Sequence, residues 1–170
     1  RRDTRPDRIR RLQLMRLWRV SGRRALDGQG ASEQGGRWNR PGTAVIYAAA
    51  SLALATLEFF VHLTRAHMPA QVVAHLIDVP EDVEERTIAL GDLPEDWDGY
   101  PGPVDLRDIG TSWAAARSTL LLSVPTAVLR IDRALIPSER TYLINPAHSA
   151  FSRVTARAET LSLDPRLRKG

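Results

Sequence analysis

Apolar and polar residues alternate along Gln71 to Val79 (QVVAHLIDV), the period of a half-buried strand. Two earlier segments have a strand's composition, LWRV at 17–20 and the β-branched, aromatic TAVIYA at 43–48. Between them Ser21 to Gln34 is polar and glycine-punctuated and reads as a loop, and after an extended piece from Trp38 the chain turns at Pro41-Gly42. The period changes at Ser51, which caps a helix running to about Arg65 and ended by Met68-Pro69. Pro80 to Asp108 is acidic and rich in Pro and Gly, with one short strand predicted near Thr87 to Leu90. Beyond it the pattern predicts a helix over Asp108 to Ser118 and strands over Leu120 to Ser123 and Ala127 to Ile131, either side of Pro125. Another strand is predicted over Tyr142 to Ile144, before the Asn145-Pro146 break, and a final strand or hairpin within Arg153 to Leu163. Many short strands and two or three helices, without strict βαβ alternation, predict an α+β fold built on a mixed sheet.

Composition narrows this picture. A chain of 170 residues, 43% hydrophobic and 26% charged, has the size and balance of one globular domain. Its +4 net charge invites a nucleic-acid reading, but residues 1–14 carry six Arg and two Asp and hold all of that excess. The other 18 basic and 18 acidic groups cancel. Residues 1–14 therefore read as a basic arm or linker and 15–170 as the globular domain, the arm being either a solvated tail or a contact for nucleic acid or a partner. Without cysteine there is no disulfide framework, thiolate nucleophile or thiolate metal site, which fits a cytoplasmic protein. Ala44 to Leu63 is long and apolar enough to raise a membrane span, but Glu58 inside it costs about 2.5–3.5 kcal/mol, and no apolar signal segment follows the basic start.

Three residues inside 35–58 ask for more than core packing. On a helical wheel Leu52, Ala55, Thr56, Phe59, Phe60 and Leu63 form an apolar face, while Ser51, Glu58, His62 and Arg65 gather opposite, with Leu54 among them. That polar stripe either faces solvent, with Glu58 and His62 weakly paired at i,i+4, or lines a cleft where a carboxylate meets developing positive charge. Arg37, between Gly36 and Trp38, is either a surface arginine laid over an indole or a phosphate grip. Tyr47 is either a core aromatic with a wet hydroxyl or a stacking plane. Together arginine, aromatic plane and carboxylate form a kit for a nucleotide with a labile glycosidic bond. No Gly-rich P-loop, GxGxxG, HExxH or GxSxG occurs, so neither common phosphate cradle, nor a zinc-protease or serine-hydrolase motif, is present, and no metal is expected. His148 in NPAH reads as a turn residue bonded to backbone.

The order of seven segments carries a resemblance. LWRV (17–20), GGRWN (35–39), VIYAAASLALATLE (45–58), WDGYPGP (97–103), IGTSW (109–113), LLLSVPTAV (120–128) and YLINPAH (142–148) together resemble the RES domain, over about Met15 to Leu167. That family is named for an Arg, a Glu and a Ser and is found as the toxin half of bacterial toxin–antitoxin pairs beside Xre-type antitoxins. The resemblance implies an ADP-ribosyltransferase-like split, bent mixed β-sheet with a few flanking helices around an NAD cleft, and consumption of NAD. Arg37 matches the family arginine, Tyr47 the tyrosine, Glu58 the glutamate, and Arg19 a recurrent basic position. The family serine commonly follows the proline of VPSA; here Thr126 stands there, with Ser123 three residues earlier.

By the same resemblance Glu58 stabilises the oxocarbenium-like centre left by nicotinamide departure and bonds a ribose hydroxyl. Arg37, helped by Arg19, holds the pyrophosphate, Tyr47 stacks on nicotinamide, and Thr126 or Ser123 positions a ribose or phosphate. Water, phosphate or a protein side chain can accept the ADP-ribosyl group; NAD degradation by hydrolysis or phosphorolysis is the favoured reading, with protein ADP-ribosylation beside it. The implied partners are a cognate Xre-type antitoxin covering the cleft and a second toxin copy, with no membrane, and nucleic acid reached only through the antitoxin. The rival reading keeps the fold without the catalysis, as a binding module whose basic arm contacts nucleic acid.

Overall fold

A computed structural model describes residues 13–63, 71–129, 139–164 and 166. Among them seven strands form one sheet: β1 (Leu14–Ser21), β2 (Ile46–Ala49), β3 (Val73–Pro80), β4 (Glu85–Thr87), β5 (Leu121–Pro125), β6 (Arg140–Ile144) and β7 (Thr155–Thr160). Their order is β4-β5-β6-β2-β1-β3-β7. β4 and β5 run parallel and every other neighbouring pair antiparallel. With helices α1 (Gln29–Gln34), α2 (Leu52–Phe60) and α3 (Val104–Ala116), this is the α+β mixed-sheet fold that the pattern predicts.

The sheet is nearly divided in its middle. β1 pairs with β3 along its whole length, from Leu14 opposite Pro80 to Ser21 opposite Val73, but meets β2 only at Trp18 opposite Ala49. A side chain bridges the opening: Arg19 Nη1 donates to the Tyr47 carbonyl at 2.9 Å.

Alternation along the strands sorts residues onto two faces. On one, which we call the front, Leu122, Val124 and Leu143 pack with Trp38, Leu106, Trp113 and Tyr47, beneath α3. Val20 and Ala49 continue that face and pack with Leu54 and Ala55 of α2. The back carries Leu17, Ile46, Ala48, Ile77, Val79, Leu121 and Ile144.

Several local expectations need correction. Ser21 to Gln34 holds a short helix, α1, begun by Gly28 at φ 74° and by the Asp27 carboxylate accepting the Gln29 N–H at 3.0 Å; six residues are too few to show a period. α2 stops at Phe60, because His62 and Leu63 donate to Phe59 and Phe60, three residues back, and the last turn tightens. The expected extension to Arg65 and the stop at Met68-Pro69 lie outside the described residues. α3 starts at Val104 rather than Asp108, with Pro103 as its cap and Asp105 in its first turn. β4 falls at Glu85–Thr87, and Leu90–Asp92 is a 3-10 turn. Among the described residues around Pro125 there is one strand, not two, since the Thr126 hydroxyl accepts the Val128 N–H at 3.1 Å and turns residues 127–129 out of strand pairing. Residues 130 and 131 lie outside the described set. Among the described residues no helix is long and apolar enough to cross a membrane.

α3 lies directly against the backbone of the loop that carries Trp38, between α1 and β2. A Cβ on Gly110 would sit 1.8 Å from the Trp38 carbonyl oxygen. Gly110→Ala should therefore force α3 away from the front face and destabilise the fold by about 1–3 kcal/mol or more, read as a lower urea midpoint at unchanged slope.

Candidate functional site

The glutamate is placed by the side of α2 that a simple wheel makes polar. Ser51 caps the helix by accepting the Leu54 N–H at 3.1 Å, and Leu54, grouped with the polar stripe by periodicity, is 0% exposed. The stripe through Ser51, Leu54 and Glu58 faces the sheet, while Leu57 and Val61 are exposed. His62 is exposed and does not hold Glu58. Instead Glu58 Oε1 accepts a hydrogen bond from Thr126 Oγ1 at 2.9 Å, just past β5, and another from Thr141 Oγ1 at 2.9 Å, on β6. The Thr126 hydroxyl, which also accepts the Val128 N–H, is thus committed to Glu58.

Tyr47 sits on the front of β2 with its hydroxyl committed. It donates to Asn39 Oδ1 at 2.8 Å and accepts the Trp38 N–H at 3.0 Å. Asn39 is fully buried and its Nδ2 donates to the carbonyls of Ala31, Arg40 and Thr43 at 2.8, 3.1 and 3.0 Å. One amide therefore organises the GGRWN loop and holds the phenol. Gly36 is required by the same closeness, since a Cβ there would lie 2.5 Å from the Tyr47 hydroxyl. The loop is tied to α3 as well: Arg40 pairs through Nε and Nη2 with the Asp108 carboxylate, and its N–H donates to Thr111 Oγ1 at 2.9 Å.

Arg37 projects from this loop toward the WDGYPGP segment, where Nη1 donates to the carbonyls of Trp97 at 2.8 Å and Gly99 at 3.0 Å. Burial pushes the Tyr47 phenol well above its ordinary 10.0; the Trp38 N–H opposes this, the Glu58 charge adds to it, and Arg107 and Arg37 oppose it. Tyr47 and Glu58 thus both belong to the front, and the charges of Glu58, Arg107 and Arg37 are felt at the phenol.

Two candidates lie elsewhere. Arg19 lies with Leu17 on the back face, opposite His75, and donates to the Tyr47 carbonyl. Burial lowers its pKa, with Asp27 and Tyr47 opposing. Ser123, opposite Tyr142, is also on the back, where its hydroxyl accepts from Arg140. Neither joins Glu58. His148 is the expected turn residue, its Nδ1 accepting the Ala150 N–H at 3.1 Å. Among the described residues no three His, Asp or Glu side chains gather as a metal site would need.

Sequence reasoning missed Thr141, Asn39 and Arg107. The asparagine stood in a quoted motif, and a buried Asn beside a loop's glycines is a legible sign of backbone wiring. Thr141 carried no signal, because its importance depends on β6 pairing beside β5.

Removing the Tyr47 hydroxyl strands the Trp38 N–H and an Asn39 lone pair, so Tyr47→Phe should lower stability by about 1–3 kcal/mol in denaturant titration. The raised phenol has a second consequence. Above pH 10.0 the unfolded chain sheds the tyrosine proton while the folded chain keeps it, so stability should fall as pH rises through this range. Tyr47→Phe should show a smaller loss between pH 9 and 11, read in the same titrations.

Known proteins are similar to this chain in sequence and fold. A family model described as RES domain matches residues 16–165. "Toxin Res" of Yersinia enterocolitica serotype O:8 / biotype 1B is 36% identical over 160 residues, covering 91% of this chain and 100% of that one. "Prs ADP-ribosylating toxin" of Sphingobium sp. is 39% identical over 145 residues, covering 84% of this chain and 86% of that one. Among solved structures, the M. tuberculosis MbcT–MbcA toxin–antitoxin complex contains a chain of the same fold, with TM-score 0.66 and 21% identity over 92% of this chain and 88% of that one. With the match running through nearly its whole length and toxins as its relatives, the chain belongs to the RES domain family of toxins.

Proposed function

We propose that this chain is the toxin of a bacterial toxin–antitoxin pair and that it cleaves the nicotinamide–ribose bond of NAD, depleting the nucleotide and arresting growth. The observation that carries this reading is the fixed Glu58 carboxylate on the front of the sheet, beside Tyr47 and within charge range of two arginines. Departure of nicotinamide leaves positive charge on the ribose, and a carboxylate already oriented there stabilises it without reorganising during the reaction. Both of its hydrogen bonds among the described residues fall on Oε1, so Oε2 is the oxygen offered to a ribose hydroxyl. Arg37 and Arg107 bring positive charge suited to the pyrophosphate. The Tyr47 ring, its hydroxyl anchored, is a rigid plane for the nicotinamide. In this reading Thr126 acts by holding Glu58, and Arg19 by holding the Tyr47 backbone from behind.

Hydrolysis or phosphorolysis is the first form of the reading. A second, transfer of ADP-ribose to a protein, is favoured by one observation, the name of the relative at 39% identity, "Prs ADP-ribosylating toxin". The partner is a cognate antitoxin of Xre type that covers the cleft, consistent with the complex in which the structural neighbour occurs. A pair of toxin copies within that assembly completes the proposal, in the cytoplasm, with nucleic acid met only through the antitoxin.

Glu58→Gln should keep NAD affinity within about threefold and lower turnover by at least about 100-fold, measured by calorimetry and nicotinamide release. Undiminished NAD loss in that variant would remove Glu58 from the mechanism. Mass spectrometry of wild-type products, with and without phosphate, separates ADP-ribose, ADP-ribose 1″-phosphate and a modified polypeptide.

A further inference from the structure

Behind Glu58, on the far face of the sheet, lies a second polar cluster that the proposed chemistry does not use. Arg140 is 8% exposed at the start of β6. Its Nε donates to Ser123 Oγ, and its Nη2 donates to the Ser123 carbonyl at 3.0 Å and the Ile88 carbonyl at 3.1 Å. The Ser123 carbonyl also accepts the Ile88 N–H at 2.9 Å. One guanidinium thus ties β6 to β5 and to the residue following β4.

This is a costly residue to place there. Burial lowers the Arg140 pKa, with Tyr142 and Glu85 opposing, and no carboxylate among the described residues forms an ion pair with it. An apolar side chain of similar size would fill the space with less desolvation. What it could not supply is a planar fork reaching three acceptors at set angles.

The positions of those acceptors matter because of what adjoins them. Thr141 follows Arg140 directly, and Thr126 lies three residues beyond Ser123; their hydroxyls are the two that hold Glu58. Alternation turns Arg140 and Ser123 backward and Thr141 and Thr126 forward. The same corner also holds the start of α2. The Ala50 N–H donates to the Arg140 carbonyl at 3.0 Å, and Ser51 Oγ, the helix cap, donates to Glu139 Oε2 at 3.0 Å. Both ends of the Glu58 arrangement, the helix that carries it and the hydroxyls that receive it, therefore meet at residues 139–141.

The geometry points to Arg140, acting with Ser123, as a positioning residue of the NAD-cleaving site, setting from the back of the sheet the spacing of Thr126 and Thr141 that aims the Glu58 carboxylate. This rests on the NAD reading above. Misplacement of a catalytic group by about 1 Å costs on the order of 100-fold in rate, so a clamp that never touches NAD acts on kcat more than on KM.

Arg140→Met, Arg140→Lys and Ser123→Ala, purified and checked for fold by circular dichroism, test it through initial rates of nicotinamide release beside wild type and Glu58→Gln. In Arg140→Met kcat should fall about tenfold or more with KM within about twofold of wild type. Arg140→Lys should recover part of the loss, because its ammonium keeps the charge but cannot reach three acceptors in a plane, and Ser123→Ala should lose less than Arg140→Met. A wild-type kcat in a folded Arg140→Met, or KM rising in step with the fall in kcat, overturns the assignment. Should Arg140→Met not fold, Arg140→Lys and Ser123→Ala decide by the same split. A wild-type chain that releases no nicotinamide sinks the NAD reading and this assignment with it, whereas wild-type turnover with unaffected variants sinks this assignment alone.

Discussion

The arrangement depends on one acceptor atom. Glu58 Oε1 takes hydroxyl bonds from Thr126 and Thr141, so a carboxylate on α2 is held by two neighbouring segments of the sheet. A half-buried carboxylate needs hydrogen-bond donors, and each donor fixes an angle as well as a distance. That requirement explains features that look unrelated. α2 turns the side bearing Ser51, Leu54 and Glu58 inward, its cap is itself bonded to Glu139, and the strand after Pro125 gives way to a turn whose first residue is Thr126.

The sheet divides labour between its faces. Tyr47, Glu58, Thr126 and Thr141 lie toward the front, where the charges of Arg37 and Arg107 are also felt. Arg19, Ser123 and Arg140 lie behind, each bonded to backbone or hydroxyl groups of the strands that present the front residues. A period of two makes this separation automatic: residues one apart in sequence serve opposite sides of one strand. Cations are thus spent in two ways, as field toward a ligand and as struts within the protein.

Rigidity is the property these struts confer. Asn39 wires the GGRWN loop, Arg37 grips the carbonyls of Trp97 and Gly99, and Arg40 fastens the loop to α3, so this loop and a continuous stretch far from it in sequence form one wall. In the proposed NAD cleavage the oxocarbenium-like transition state is short of electrons rather than in need of a nucleophile's flexibility. Dipoles and charges held in place before reaction serve it best.

Much of this was readable from residue order. The α+β class follows from short alternating segments around one serine-capped helix, and the Arg37, Tyr47 and Glu58 set follows from residue types that core packing alone does not call for. Backbone period and chemical identity are local properties, and local properties survive in a sequence. Which side of α2 would be buried was not local: the wheel put Leu54 with the polar residues, and only the pairing of β5 with β6 brought two hydroxyls under Glu58 and turned that side inward. The split between β1 and β2, bridged by Arg19, and the rearward placement of Ser123 were likewise settled by strand register. Register is a relation between distant segments, and no single segment contains it.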